Sequence, residues 1–490
     1  MPKLMPRLTP WLLFVFGTLA MSFDLTVPSF WQDEAATISG SARPISQLLQ
    51  MATKIDVVHS FYYGLMHFWS GIFGYSVFMV RLPSILAVGL TCALIYLLVR
   101  KLNGSYSLAV WGSLLFLAIP RTHFASGENR SNALTATLAV ALTLALITVL
   151  QSKHRPILVW LGYAILAALS TYVFMFSFLL AIPHGIYVLA KHRSKIFYFL
   201  GAWLLAILGT SPLFYWGYHE KNQVSWIKLK PLSSYLYEAA ISVNFLSRPW
   251  LAAAFILLSA LAVVMYLRAR TLKISNEIGD LTELAAMWAV LPSAGLIAAS
   301  FAIHPYFVDH YLTFTTPATA ILGSIGLHQL RIRFAPLLAG LVILVLGFFS
   351  LQDSRSPWSH GPIWMPVVKT VASNTAPGDG LLLPDWRTRN SAETQIMMDA
   401  YRMEYFPGRV ELTLIEPPSK SKRLFGIHSK EKDAPRPQVL MNKIALITDS
   451  VDPIPALDQV PLWVSENYKI TKSVHFKDAN VAIFTKKLSG

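Results

Sequence analysis

Two adjacent carboxylates stand where an apolar run gives way to loop: Phe30-Trp31-Gln32-Asp33-Glu34-Ala35-Ala36-Thr37 follows a stretch that ends near Pro28. Carboxylates at a membrane edge are costly to desolvate unless a cation, a metal or a substrate hydroxyl compensates them. Read as chemistry, Asp33 is a general base that takes a proton from a hydroxyl. Glu34, about 100° further round a helix, then serves a different partner. Read as structure, the same pair at a helix N-terminus favours the dipole and needs no ligand. The local sequence supports both readings.

A second set follows. In Asp56-Val57-Val58-His59-Ser60-Phe61-Tyr62-Tyr63 and His67-Phe68-Trp69, residues His59, Tyr63 and His67 recur at i, i+4 spacing, so one helical face carries two histidines and a tyrosine. Asp56 with His59 is compatible with a thin metal-ligand set, and an amphipathic interfacial helix explains the same pattern. Gly71 and Gly74 break that helix before Arg81-Leu82-Pro83-Ser84 opens the next apolar run. Arg81 calls for a carboxylate or phosphate partner, with snorkelling to the interface as the plain alternative. Glu128 and Arg130 sit in a polar connection, Arg121 to Asn132. Tyr306, His310 and Tyr311 sit in another, His304-Pro305-Tyr306-Phe307-Val308-Asp309-His310-Tyr311. Each group alone is a weak signal; their shared place on one face of a membrane would make a site.

The elements that must position these groups follow from composition. The 490 residues are 54% hydrophobic and 14% charged, against about 25% charged in an ordinary soluble domain. Charges are sparse as far as Leu351 and common from Gln352 onward, which places one domain boundary there: a membrane region, 1–351, and a smaller domain, 352–490. Apolar runs long enough to approach a ~30 Å hydrocarbon core predict about eleven spans. They are Trp11–Pro28, Val80–Val99, Tyr106–Pro120, Asn132–Leu150, Ile157–Thr171, Phe174–Ala190, Ile196–Gly217, Leu251–Leu267, Leu281–Ile303, Tyr311–Gln329 and Phe334–Leu351. Basic clusters fall at every second connection: Lys3/Arg7, Arg100/Lys101, Lys153/Arg155, Lys191/Arg193/Lys195, Arg268/Arg270/Lys273 and Arg331/Arg333. The positive-inside rule then predicts a cytoplasmic N-terminus, with the polar loops and the C-terminal domain outside. The net charge of +15 is explained by these loops without nucleic acid as a partner.

A lone cysteine, Cys92, excludes a disulfide framework, and no phosphate-binding loop, dinucleotide fingerprint or zinc-protease helix motif is present. In the C-terminal region, the turn Pro377-Gly378-Asp379-Gly380 precedes a buried-strand pattern at Leu381-Leu382-Leu383. Lys443–Thr448 and Asn480–Thr485 read as strands, and Lys469–Lys487 as a terminal hairpin. Ser419–Lys432 is basic and reads as an exposed loop. A small mixed α/β domain results, suited to acceptor binding or to capping the membrane region.

The order Trp-x-Asp-Glu-Ala, Asp-x-x-His-x-x-Tyr-Tyr, His-x-Trp and Arg-Leu-Pro-Ser resembles the GT-C superfamily of membrane glycosyltransferases, in its protein-mannosyltransferase-like branch common in actinobacteria. The resemblance covers roughly residues 1–350. It implies a polytopic α-helical membrane protein with a small extracytoplasmic α/β domain. It also implies a polyprenyl-phosphate sugar donor, with mannose the default sugar. The acceptor would be a hydroxyl of a protein, a glycolipid or a polysaccharide. Asp33 would be the base and Glu34 would position or polarise the site. Asp56, His59 and Tyr63 would line it with Glu128, Tyr306 and Tyr311. Arg81, Arg130 or His310 would neutralise the departing phosphate, and no metal cofactor is called for. The chain departs from the family's pattern at Val58-His59-Ser60-Phe61-Tyr62, at Gly127-Glu128-Asn129-Arg130 and at His310, where relatives carry arginine. A transporter or flippase of a lipid-linked sugar shares the spans, although its polar groups would gather near the midplane rather than in loops. A receptor-like scaffold would leave the Asp33-Glu34 pair without a task.

Overall fold

The computed structural model describes residues 5–152, 156–274, 276–383, 389–421, 423–448 and 460–488; the basic positions Lys3, Lys153 and Arg155 lie outside them. The chain divides into two compact units. The first takes in Met1–Leu25, Val57–Phe61 and Arg81–Arg355, and the second Thr26–Asp56, Tyr62–Val80 and Ser356–Gly490.

The first unit is helical. Helices Val77–Lys101, Asn132–Gln151, Pro249–Thr271, Gly279–Ala302 and Ala335–Ser354 are long and apolar enough to cross a membrane. Two bent pairs bring the number to seven if each is one broken span: Tyr106–Ala118 with Pro120–Ser126, at 67°, and Arg193–Gly209 with Ser211–His219, at 51°. Each second helix begins with a proline in its first turn, Pro120 and Pro212, because proline lacks the amide a continuing helix needs and clashes with the preceding turn. Arg7–Met21, Ile157–Val173 and Met175–Lys191 are shorter apolar helices, and the remaining predicted run forms Thr316–His328. The predicted polytopic helical architecture is what forms. Only 28% of the apolar window is buried in Pro249–Thr271 and in Ala335–Ser354, and large side chains such as Trp250, Leu257 and Val342 stand exposed. An apolar surface of that extent needs lipid as its solvent, so this is a multi-pass membrane protein.

Helices of this unit meet at small residues, as packing in lipid favours. A Cβ at Gly326 would collide with the Leu258 carbonyl oxygen, and one at Gly347 would lie 2.7 Å from Ala118 Cα.

In the second unit, α1 (Gln32–Ser41) and α2 (Ile45–Ala52) precede the Val57–Phe73 helix, which ends where Gly74 takes φ +84°, as its sequence predicts. The strands are β1 (Gly380–Leu382), β2 (Val410–Glu411), β3 (Leu414–Glu416), β4 (Ile427–His428), β5 (Lys443–Thr448), β6 (Tyr468–His475) and β7 (Asn480–Lys486). One sheet runs β2-β1-β5-β7-β6, and β3 and β4 form a separate ribbon. β1 lies parallel to β2 and β5. β6 and β7 form the predicted antiparallel hairpin. Leu382, Ile444, Leu446, Ala482 and Phe484 make the core beneath the sheet. The predicted exposed loop Ser419–Lys432 is corrected here. It contributes β4, paired antiparallel with β3, and buries His428 to 4% exposure. The basic composition around His428 hid a residue that faces inward.

Candidate active site

The first loop's carboxylates belong to the second unit. Trp31 is the extended N-cap residue of α1, and Asp33 and Glu34 occupy its first turn. That position suits the helix dipole, yet the two side chains differ in surroundings. Asp33 is half-buried. Glu34 is fully buried, with its carboxylate 3.4 Å from His360 Nδ1, and the Trp31 ring lies against the same histidine at 6.4 Å. Phe30 anchors the start of α1: its amide donates to Tyr401 Oη at 2.8 Å, and the two rings stack at 4.7 Å. The arrangement therefore fixes Glu34 in the interior of its unit and leaves Asp33 half-buried. Asp56 precedes the Val57–Phe73 helix with φ +62°, and Tyr63 Oη donates to its carboxylate.

The other predicted residues belong to the first unit. Arg81 is fully buried and donates from Nη1 to the Leu25 carbonyl at 2.7 Å. Snorkelling is excluded for it. Glu128 accepts from Asn132 Nδ2 at 2.6 Å, and its backbone carbonyl accepts from Ser84 at 2.6 Å. These bonds tie the second polar connection to the start of the Arg81 span. Arg130 Nη2 lies 2.9 Å from His59 Nε2. The guanidinium is always protonated, so it donates and the imidazole nitrogen accepts. A metal held through His59 Nε2 would have to displace this donor.

His59, Tyr306 and Tyr311 line one cavity of about 350 Å³, together with Phe174, Phe176 and Leu296. Phe176 stacks on Tyr311 at 5.3 Å and packs beside Tyr306 at 6.1 Å. The wall is thus aromatic and aliphatic, with a cation bonded to one of its polar members. His310 sits by Asp309: its amide donates to Oδ1 at 2.7 Å, and its Nδ1 lies 3.4 Å from the same oxygen. Arg121 completes this group at 2.6 Å from Asp309 Oδ2. Burial acts to raise the Asp309 pKa, but the Arg121 guanidinium and His310 outweigh it and hold the carboxyl well below the usual range.

The structure adds residues that sequence reasoning did not single out. His360 is the partner of Glu34. Glu220 accepts from the Val57 amide at 2.9 Å and lines the aromatic cavity. Arg355, 2% exposed, donates to the carbonyls of Met21 (3.1 Å), Phe23 (3.2 Å) and His123 (3.0 Å) and to Ser126 Oγ (2.8 Å). It satisfies carbonyls that the first helix leaves open at its C-terminus.

The fold is one of apolar helices together with a small α/β unit. The family model for dolichyl-phosphate-mannose-protein mannosyltransferases matches residues 61–216. The solved structure of ArnT from Cupriavidus metallidurans in the apo state is similar over 97% of this chain and 98% of that one, with a TM-score of 0.56 at 12% identity. The same protein bound to undecaprenyl phosphate covers the same shares, with a TM-score of 0.54 at 12% identity. No curated protein matches the chain. The resemblance to the GT-C superfamily is borne out, in fold over almost the whole chain and by the family model over part of it.

Proposed function

We propose that this protein is a membrane glycosyltransferase that moves a sugar from a polyprenyl-phosphate donor to an acceptor hydroxyl. The observation that carries this reading is Arg130, bonded at 2.9 Å to His59, where His59 lines an apolar, aromatic cavity. A fixed cation joined to an apolar wall suits one kind of ligand, a phosphate head on a hydrocarbon chain. The reading is supported by the family model's description and by the undecaprenyl phosphate held by the similar ArnT structure.

In the proposed reaction Asp33 takes the acceptor's proton, and the acceptor oxygen attacks the anomeric carbon. The new glycosidic C–O bond forms as the bond from carbon to phosphate oxygen breaks. The electron pair leaves with the polyprenyl phosphate, whose charge Arg130, Arg81 or His310 stabilises. A single displacement inverts the anomeric centre. The leaving group is an already stable anion, so a base, positioned substrates and cationic stabilisation suffice, without a metal. Tyr306 and Tyr311 offer aromatic surface, while Asp56 with Tyr63, and Glu128 with Asn132, hold the polar connections in place. By resemblance the sugar is mannose, and the acceptor is a protein, glycolipid or polysaccharide. The alternation of basic loops supports a cytoplasmic N-terminus and an extracytoplasmic C-terminal domain.

The test is transfer by the full chain in proteoliposomes, given radiolabelled polyprenyl-phosphate mannose and, separately, other polyprenyl-phosphate sugars with a mixed hydroxyl acceptor fraction. Labelled acceptor is the expected result. Movement of intact lipid-linked sugar across the bilayer with no labelled acceptor would replace the proposal with a flippase.

A further inference from the structure

Three ligand-type side chains converge inside the second unit, away from the sheet's apolar core. Asp399 lies on the Arg389–Tyr405 helix, Glu411 on β2 and His428 on β4, and one ligand atom from each lies within 4.8 Å of the others. The Glu411 and His428 side chains are 2% and 0% exposed, so water does not solvate them. His428 Nε2 lies against Glu411 Oε1, and His428 Nδ1 makes no hydrogen bond among the described residues.

Glu411 is buried and Asp399 half-buried, and two carboxylates this close are stabilised by a cation between them. Arg402 supplies part of that charge, donating from Nη1 to Glu411 Oε2 at 2.8 Å. It engages one oxygen of one acid. Asp399, Glu411 Oε1 and His428 make up the other side of the cluster. A metal ion bonded to all three side chains would supply a cation there.

We infer that Asp399, Glu411 and His428 form a binding site for a divalent transition metal, with zinc the best match. One imidazole and two carboxylates are a zinc-type donor set that leaves a fourth position open. Calcium and magnesium favour sites built from oxygen alone, and soft copper(I) favours sulfur. Metal–ligand bonds of ~2.1 Å put opposed ligand atoms at most about 4.2 Å apart, so small side-chain rotations close the site. Arg402 on the second oxygen of Glu411 is the outer contact that holds a ligating carboxylate in orientation. Asp399 also lines a cavity of about 200 Å³ in this unit, which gives an ion a way in. The ribbon of β3 and β4 is only two short strands, marginal by itself; the metal ties it to β2 and to the helix.

The experiment uses the full chain, purified in detergent without a polyhistidine tag. After chelation, zinc is added, the excess is removed, and bound metal is measured by mass spectrometry. In parallel, cobalt(II) is added and the visible spectrum recorded. The expected result is about one zinc per chain and a cobalt spectrum of low-symmetry coordination. The melting temperature should be several degrees higher with zinc than with chelator. His428→Ala and Glu411→Gln should lose the bound metal and the zinc-dependent shift. If either variant fails to fold, the cobalt spectrum of the parent still decides, and His428→Cys should add a thiolate charge-transfer band to it. A parent that retains less than about a tenth of an equivalent, shows no cobalt bands and melts alike with zinc and chelator overturns the inference. The cluster would then be assigned to a shared proton. None of these readouts depends on sugar transfer.

Discussion

The two units bury opposite charges, and they compensate them differently. In the first unit the deeply buried ions are mainly arginines, and backbone carbonyls hold them: Leu25 for Arg81, Val243 and Ser242 for Arg121, and Met21, Phe23 and His123 for Arg355. Its acids, Glu128 and Asp309, each have a donor in Asn132 and Arg121. In the second unit the buried ions are mainly acids, held by side chains: Glu34 with His360, Asp56 with Tyr63, and Glu411 with Arg402 and His428. Arg43, bonded to the carbonyls of Arg423 and Leu424, and Arg409, bonded to those of Ala372 and Thr375, are exceptions in the second unit. Carbonyls orient a guanidinium, and in Arg121 the Asp309 carboxylate adds an ion pair to that hold. Side-chain partners fix the position of these acids. The contrast predicts that variants in the first unit weaken donor binding and stability, whereas variants of the half-buried Asp33 in the second weaken the chemical step.

The largest effect should come from Arg355→Met, which leaves several buried carbonyls without their donor. Removing one side of a buried charged network costs about 3–5 kcal/mol, and the expected outcome is a collapse in the yield of folded protein by fluorescence-detected size exclusion. Normal yield would show that those carbonyls do not depend on the guanidinium. Arg130→Gln should leave folding near the parent and raise the KM for the lipid donor about 30- to 150-fold, the equivalent of ~2–3 kcal/mol for a charge-assisted bond. An unchanged KM with a reduced kcat would move Arg130 out of donor binding and break the contrast. Gly326→Ala should cost ~1–3 kcal/mol by forcing its helix from the Leu258 carbonyl, read as a lower melting temperature in detergent. The smallest effect concerns Asp309. Its folded pKa is depressed, so its stabilisation is complete above the unfolded value of about 4 and is lost as pH falls toward the folded one. Melting temperatures between pH 6 and pH 3 should fall more steeply for the parent than for Asp309→Asn. Parallel curves would mean that Arg121 gains nothing from the ion pair.

What was legible in the sequence is what short-range physics decides. Apolar length gave the helices, and the apolar run at Lys443–Thr448 forms a central strand as read, whereas the bend inside the run Ile196–Gly217 was not read. The Asp33-Glu34 turn was legible because helix N-termini and acidic pairs are local patterns. The partners were not. Glu34 meets His360 and Arg355 meets Met21 across more than 300 positions of sequence, and periodicity carries no information over that distance. Arg355 reads in sequence as an ordinary charged flank after a span, and His428 as part of a basic loop. In both, composition pointed to solvent and tertiary packing turned the side chain inward.

The central claim is tested most directly by Asp33→Asn in the full chain, with two quantities measured on the same proteoliposomes: the affinity for undecaprenyl phosphate and the single-turnover rate of sugar transfer. Removing a general base lowers a rate by about 10²- to 10⁴-fold. The expected result is parent-like affinity for the lipid phosphate with transfer slowed by that amount. Transfer at the parent rate would contradict the assignment of Asp33 as the base and, with it, the division of roles between the acidic and the cationic unit.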